Sequence, residues 1–319
     1  MHIPDGFLDV KTAAAGFVLA GAALGLALRS ARRALPPERV PLLGLAAAFL
    51  FAAQMLNFPV AGGTSGHLLG ATLAAVLLGP GAAAVAMASV LTLQCLLFAD
   101  GGLTALGANL LNMAVIAPAV GYAAYSLAFR AAGRTPRACL FAAAWGAWCS
   151  TVVAALCAAG QLSLSGLAPA GVVFPAMALV HMLIGLFEAA ITALVLAAVM
   201  KARPDLLTGG EEAPPARAAG LVPIGLCVAA ALALFVAPFA CGWPDGLEHV
   251  AERLGFAMRA AEITALPAPL PDYAIPGLDP AVLSAALAGL AGTAAAFLAS
   301  WLFARALAPR PRVEGSGRA

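Results

Sequence analysis

The chain is poor in charge. Only 10% of its 319 residues are Asp, Glu, Lys or Arg, and the formal net charge is +2, where soluble domains run to about 25% charged residues. Such scarcity excludes a solvated globular surface, and the small net charge excludes a partner held through nucleic-acid phosphates. Cysteine is present without a pattern. Cys95, Cys139, Cys149, Cys157, Cys227 and Cys241 form no CxxC pair and five lie in apolar runs, so they read as small packing residues rather than a zinc or disulfide framework. No Gly-x-x-x-x-Gly-Lys-[Ser/Thr] phosphate loop occurs, so this chain is expected to bind no ATP. No HExxH occurs either, and Ser65 and His67, two apart in one loop, are poorly placed as a nucleophile and its base. An enzyme is not expected. Histidine itself is scarce, at four residues, which makes the position of each informative.

What is abundant is apolar surface. The chain is 63% hydrophobic with a mean hydropathy of +0.97, the composition of an integral membrane protein. Apolar stretches near the ~20 residues that cross a bilayer fall at 10–28, 41–56, 66–78, 81–98, 109–129, 137–160, 172–200, 220–240 and 280–306. The expected fold is an all-α polytopic bundle of about nine transmembrane helices. The third stretch is short and is expected to be sheltered by its neighbours. Fourteen of the seventeen basic residues lie in alternate loops and at the C-terminal end, leaving only Lys11, Arg253 and Arg259 on the other side. The positive-inside rule then places the N-terminus outside and the C-terminus in the cytoplasm. The polar, Pro-rich residues 206–219 read as a cytoplasmic linker between a seven-helix module, 1–205, and a tail, 220–319, of two helices around an external segment. In that segment Asp245, followed by Glu248, reads as a helix N-cap with its capping-box partner. The tail shows no convincing ligand cluster, so it is expected to help load or couple rather than to hold an ion.

The opening, Met1-His2-Ile3-Pro4-Asp5-Gly6-Phe7, has no Lys/Arg-rich leader and no small-residue cleavage site after the apolar run that follows, so the N-terminus is expected to be retained. With a free α-amine, Met1 and His2 offer three nitrogens on one short piece of chain. Amine and His2 amide close a five-membered chelate ring; amide and Nδ1 of the His2 ring close a six-membered one. Three nitrogens then share a plane with one corner open, and a tetragonal nitrogen site suits Ni(II) or Cu(II). The fourth ligand is expected to be His67, in Gly62-Gly63-Thr64-Ser65-Gly66-His67. Under the assigned orientation it lies on the same outer face. The Gly-rich loop 57–66 can dip to membrane depth if protein surrounds it, and the loop from Asp100 to Asn109 is expected to join the same cup. Asn57, Thr64, Ser65, Asn109 and His181 are candidate supporting residues around the metal; His181 and Glu188 share one face of the seventh helix.

The N-terminal heptapeptide, together with Gln54-Met55-Leu56-Asn57-Phe58-Pro59-Val60, Gly63-Thr64-Ser65-Gly66-His67 and His181-Met182-Leu183-Ile184-Gly185, resembles the CbiM/NikM family. These are the substrate-binding (S) components of energy-coupling-factor importers for nickel and cobalt. The resemblance covers about residues 1–205. Pro244-Asp245-Gly246-Leu247-Glu248 resembles the PDGLE module that stands in place of an N component. The resemblance implies ligands at Met1, His2 and His67, location in the cell membrane, and two partners: a transmembrane T component and cytoplasmic ABC ATPases. It implies uptake of a divalent metal. Nickel is favoured because deprotonating an amide in a square plane rewards d⁸ Ni(II) more than Co(II); Co2+ uptake for cobalamin biosynthesis, or a passive metal channel, are the alternatives. Small-residue ridges, Gly21-xxx-Gly25 and Gly44-xxx-Ala48-xxx-Ala52, are candidate docking faces for the T component, although alanine-rich helices produce such spacings by composition alone.

Overall fold

A computed structural model describes residues 1–34, 40–202, 215–260 and 267–307. Most of the expected cytoplasmic linker, and the basic tail beyond residue 307, lie outside the described residues. Among those described, seven helices are long and apolar enough to cross a membrane. In chain order they are α1 (Val10–Ala34), α4 (Pro80–Phe98), the composite 106–131, α7 (Pro136–Leu164), α8 (Ala170–Ala202), α9 (Pro215–Phe235) and the last helix, α11 (Ala281–Leu307). The composite consists of α5 (Leu106–Asn109), a π-helical turn (Leu110–Ile116) and α6 (Ala117–Ala131). Two further helices correspond to the remaining expected spans but are shorter: α2 (Val40–Gln54), of 15 residues, and α3 (Ala71–Leu78), of 8. At 1.5 Å per residue α3 covers only about 12 Å. Its first five residues, Ala71 to Ala75, are all buried, which is the shelter its length requires.

The third apolar stretch is therefore not helical from residue 66. Phe58–Val60 (β1) and Thr64–Gly66 (β2) pair antiparallel, with Phe58 opposite Gly66. Gly62 and Gly63 turn the chain between them at φ +90° and +81°, a backbone region that side chains disfavour. Residues 67–70 then lead into α3 without regular structure. Non-helical backbone at this depth needs every polar group satisfied from within the protein. Glu188 on α8 does part of this: its carboxylate accepts from Leu69 N (2.7 Å) and Gly70 N (2.8 Å).

The two parts of the chain meet along α2. Gly44 lies so close to α11 that a Cβ there would stand 3.0 Å from the Phe297 carbonyl oxygen and 3.1 Å from Trp301 Cβ. Ala48 and Ala52 form a buried cluster with Ala229 and Ala233 of α9. The second small-residue ridge is thus occupied by the tail, which corrects its reading as a free docking face. The first, on α1, is bare: nothing lies within 4 Å of a Cβ built at Gly21 or Gly25.

The segment between the tail's two long helices forms a short helix, α10 (Gly246–Leu254). Asp245 Oδ1 accepts from Leu247 N (2.8 Å) and Glu248 N (2.9 Å), and Glu248 Oε2 accepts from Asp245 N (2.9 Å). This is the expected capping box, a feature that stabilises a helix start by about 1 kcal/mol. Leu247, Val250 and Ala251 are buried, so α10 packs onto the first module with its apolar stripe inward.

Candidate metal centre

The N-terminal strand runs inside the protein. Ile3 is fully buried, and Met1 and Phe7 nearly so. Asn109 clamps it from both sides: Ile3 N donates to Asn109 Oδ1 (2.8 Å) and Asn109 Nδ2 donates to the Ile3 carbonyl (3.0 Å). Gly102 N donates to the same carbonyl (2.9 Å). A Cβ at Gly102 would stand 2.6 Å from the Pro4 carbonyl carbon, so only glycine lets this strand pass.

That clamp delivers Met1 and His2 to His67. The α-amine of Met1 lies 3.3 Å from His67 Nε2. The His2 and His67 rings stack with centroids 5.5 Å apart. Two neighbouring corners of a square plane with metal–nitrogen bonds of about 2.0–2.1 Å stand about 2.9 Å apart, so amine and imidazole are within a few tenths of an ångström of that spacing. His67 Nδ1 donates to the Leu68 carbonyl (3.3 Å), which leaves the lone pair on Nε2, the nitrogen that faces the amine. Burial, then the adjacent α-ammonium and His2, push the His67 pKa down to about 3. His67 is therefore neutral across the physiological range and its lone pair is available.

Oxygen atoms hold the other two nitrogens. The Met1 ammonium forms an ion pair with Asp245 Oδ2. His2 Nδ1 faces Asp100 Oδ1 at 2.9 Å and His2 Nε2 donates to Gln94 Oε1 at 3.2 Å. Chelation through Nδ1 requires the His2 ring to turn away from Asp100. Burial raises the pKa of both carboxylates, but the α-ammonium facing Asp245, the His2 ring facing Asp100 and the hydrogen bonds to each outweigh it, and both stay well below the usual carboxylate range. Tyr273 of the tail donates to the second oxygen of Asp100 (2.5 Å). Gln94 Nε2 donates to Gln54 Oε1 (2.9 Å), and Gln54 Nε2 to the Leu69 carbonyl (2.9 Å). This relay ties His2 to the loop that carries His67. A cavity of ≈ 660 Å³ opens beside the cluster, lined by His2, Asn57, His67, Asp100, Asp245 and Tyr273 among others.

The candidate supporting residues separate into two groups. Asn109 and His181 stand at the centre: Asn109 clamps the strand, and His181 lines a small cavity with Met1, His67 and Asp245. Asn57, Thr64 and Ser65 instead hold the tail. Cys241 N donates to the Asn57 carbonyl (2.8 Å), Thr64 Oγ1 to the Pro244 carbonyl (3.1 Å), and Ser65 Oγ to the Trp243 carbonyl (2.7 Å). The residues that sequence reasoning missed are Gln54, Gln94, Asp100, Asp245 and Tyr273. Asp245 had a legible signal, but its spacing to Glu248 explains a helix cap and so conceals its second role. Among the described residues no three His, Cys, Asp or Glu side chains gather as a metal-binding group. Any nitrogen site here has to enlist the main chain.

These features define a polytopic membrane protein with an N-terminal nitrogen cluster, covered on one face by a second module. The chain belongs to the CbiM family: residues 2–206 match the model described as "Cobalt uptake substrate-specific transmembrane region", and residues 219–309 match the PDGLE domain. A provisionally named fused nickel transport protein NikMN of Archaeoglobus fulgidus is 41% identical over 295 residues, covering 92% of this chain and 94% of that protein. The fused nickel transport protein NikMN of Rhodobacter capsulatus is 37% identical over 329 residues, with the same coverage of each. The cobalt transport protein CbiM of Moorella thermoacetica is 39% identical over 179 residues, 56% of this chain and 68% of that one. A crystal structure of a truncated transition metal transporter superposes with a TM-score of 0.58 at 36% identity, covering 63% of this chain and 99% of that chain. Relatives of this protein are thus metal transport proteins embedded in membranes.

Proposed function

We propose that this chain binds Ni2+ through the Met1 α-amine, the backbone nitrogen and Nδ1 of His2, and Nε2 of His67. It serves as the S component of an energy-coupling-factor importer in the cytoplasmic membrane, with its N-terminus outside. A T component and cytoplasmic ABC ATPases supply the energy. The observation that carries this reading is the 3.3 Å between the Met1 amine and His67 Nε2, with the His2 ring stacked beside them. Residues 66 positions apart meet through one of the two pairs of atoms that the chelate needs at adjacent corners, amine to Nε2; His2 Nδ1 to Nε2 is the other.

Nickel is favoured over cobalt on two grounds. The donor set includes a backbone amide, which must lose its proton to bind, and a square plane rewards that most for d⁸ Ni(II). The relatives similar along nearly the whole chain also carry nickel in their names, whereas the cobalt relative matches only part of it.

One extra residue before Met1 tests the site. It converts the amine to an amide and removes a ligand lone pair. Mass-spectrometric metal content of purified protein should fall to background with a short N-terminal tag and stay stoichiometric with the same tag at Ala319. A fully loaded N-tagged protein would remove Met1 from the site. Uptake tests the energy coupling: nickel accumulation should require co-expressed T component and ATPases. Uptake by the chain alone in vesicles would make it a channel.

A further inference from the structure

Asp245 is the tail's most deeply placed charge. Its oxygens are divided: Oδ1 caps α10 through Leu247 N and Glu248 N, and Oδ2 takes the Met1 ammonium. The segment that carries it is bonded to the metal loop at several points. Ser65 N donates to the Pro244 carbonyl (2.8 Å), in addition to the bonds from Thr64 and Ser65 side chains and to Asn57 described above. Gly246 seats against α8: a Cβ there would stand 2.9 Å from His181 Cε1 and Nε2 and 2.8 Å from Ile184 Cδ1. Asp245 is thus fixed in place by its own cap and by both neighbours.

A second observation points to a cation at the same spot. His181 Nδ1 donates to the Met177 carbonyl (2.9 Å), so Nε2 carries the lone pair. That nitrogen has no hydrogen-bond partner and the residue is 1% exposed. It lines a small space of ≈ 20 Å³ with Met1, His67 and Asp245. A buried lone pair left unpartnered is costly; a cation, or a donor such as a water bound to one, satisfies it.

We propose that Asp245 is the counter-charge of the bound metal, so that the tail completes a site whose ligands all come from the first module. The proposal rests on the ligand assignment to Met1, His2 and His67. A divalent ion that takes a deprotonated amide retains one net positive charge in a protein-lined cup, where an unpaired charge is strongly disfavoured. The metal would replace the ammonium proton between the amine and His67 Nε2, the place Asp245 already neutralises. Asp100 differs in this respect, because it faces the cup through His2 Nδ1 and loses that contact when the ring turns to chelate.

The test is Ni(II) affinity of the full chain, read by competition with a chromophoric chelator, for Asp245→Asn, Glu252→Gln and His67→Ala. Asparagine caps a helix as well as aspartate, so Asp245→Asn removes the charge and keeps α10. Its affinity should fall about 10- to 100-fold, the range seen when groups behind metal ligands are lost, with the planar d–d absorption band unchanged. Glu252→Gln removes an exposed charge from the same helix and should stay at wild-type affinity. Wild-type or tighter binding by Asp245→Asn, an equal loss in Glu252→Gln, or disappearance of the planar band would each overturn the proposal. Full affinity in His67→Ala would instead overturn the ligand assignment, and so separates the two failures.

Discussion

The two modules present different atoms to the candidate metal site. Residues 1–202 supply every candidate nitrogen: the Met1 amine, the His2 amide and ring, and His67 Nε2. The tail supplies only oxygens, Asp245 Oδ2 on the amine and Tyr273 Oη on Asp100. They are also anchored differently. The nitrogens are positioned by buried side chains inside the bundle, Asn109 on Ile3 and Glu188 on residues 69 and 70. Asp245 is positioned by hydrogen bonds between residues 57 and 64–65 and the tail's backbone at 241–244. The difference teaches that nitrogen donors and the carboxylate facing them can come from two pieces of one chain. It also explains how a tail without ligands reaches the centre of the site.

The sharpest way to break this comparison is to remove a donor from each side. His2→Ala or His67→Ala should abolish stoichiometric metal, since each leaves the plane a corner short. Tyr273→Phe, which deletes an oxygen that reaches Asp100 and Gln94 but none of the candidate ligands, should retain metal within about tenfold of wild type, the milder end of losses behind a metal ligand. Metal content of purified variants decides. Loss as complete in Tyr273→Phe as in the histidine variants would erase the distinction between the modules.

How much of this was legible in the sequence follows the same division. The helices were, because length and apolarity are local properties: each expected span corresponds to a helix. The ring sizes of the proposed chelate could be written down from the sequence, because a two-residue terminus fixes them, and the structure brings the Met1 amine to 3.3 Å from His67 Nε2. The hairpin at 58–66 was not, since three-residue strands leave no period to read and the Gly62-Gly63 turn also reads as a loop. The role of α2 was misread for a related reason. Gly44, Ala48 and Ala52 state that something packs closely, but nothing in them says whether it is another protein or residues 229–297 of the same chain. Asp100, Gln94 and Tyr273 were missed because their partners lie far away in sequence.

Next in expected effect is the passage of the N-terminal strand. A methyl group at position 102 would meet the main chain at Pro4 and Asp5, which cannot yield as a flexible side chain does. Gly102→Ala should therefore displace Met1 and His2 while leaving the bundle folded. The expected outcome is loss of most bound metal with an unchanged melting transition of the metal-free protein. Normal metal content would show that the strand is not held where the Ile3 bonds place it.

Glu188 should behave in the opposite way. Its removal leaves two buried N–H groups unpaired, at about 1–3 kcal/mol each. Glu188→Ala should lower the unfolding transition clearly and weaken metal binding as a consequence, because residues 69 and 70 follow His67 directly. Glu188→Gln keeps one acceptor oxygen and should recover part of both. Thermal unfolding in detergent, measured with and without metal, is the check; an Ala variant as stable as wild type would remove Glu188 as the anchor of the loop.

Acid gives a smaller, graded effect. His67 is neutral in the fold because burial lowers its pKa to about 3, while in the unfolded chain an imidazole titrates near ~6.5. Between those values the unfolded state binds the extra proton, so stability is fully present above about pH 6.5 and is lost as pH falls towards 3. Metal-free protein should melt progressively lower from pH 7 to pH 4, and His67→Asn should flatten that slope. An unchanged slope in the variant would show that other groups carry the acid sensitivity.

The smallest effect expected at the site comes from the seam between the modules. Gly44 faces Phe297 and Trp301 at contact distance, whereas Gly21 on α1 faces open space. A leucine at position 44 overfills a packed interface, a change that typically costs about 1–3 kcal/mol. The first module keeps all its nitrogens, so Gly44→Leu should retain bound metal while exposing the tail to limited proteolysis and loosening Asp245 from the amine. Its nickel affinity should drop no further than that of Asp245→Asn. Gly21→Leu should leave protease resistance, stability and affinity of the isolated chain unchanged, because no residue is there to be displaced. If both substitutions release the tail, or neither does, the α2 ridge is not what joins the two modules, and the tail is held by its other contacts, the bonds of residues 57 and 64–65, the Met1–Asp245 ion pair and the Tyr273–Asp100 bond among them.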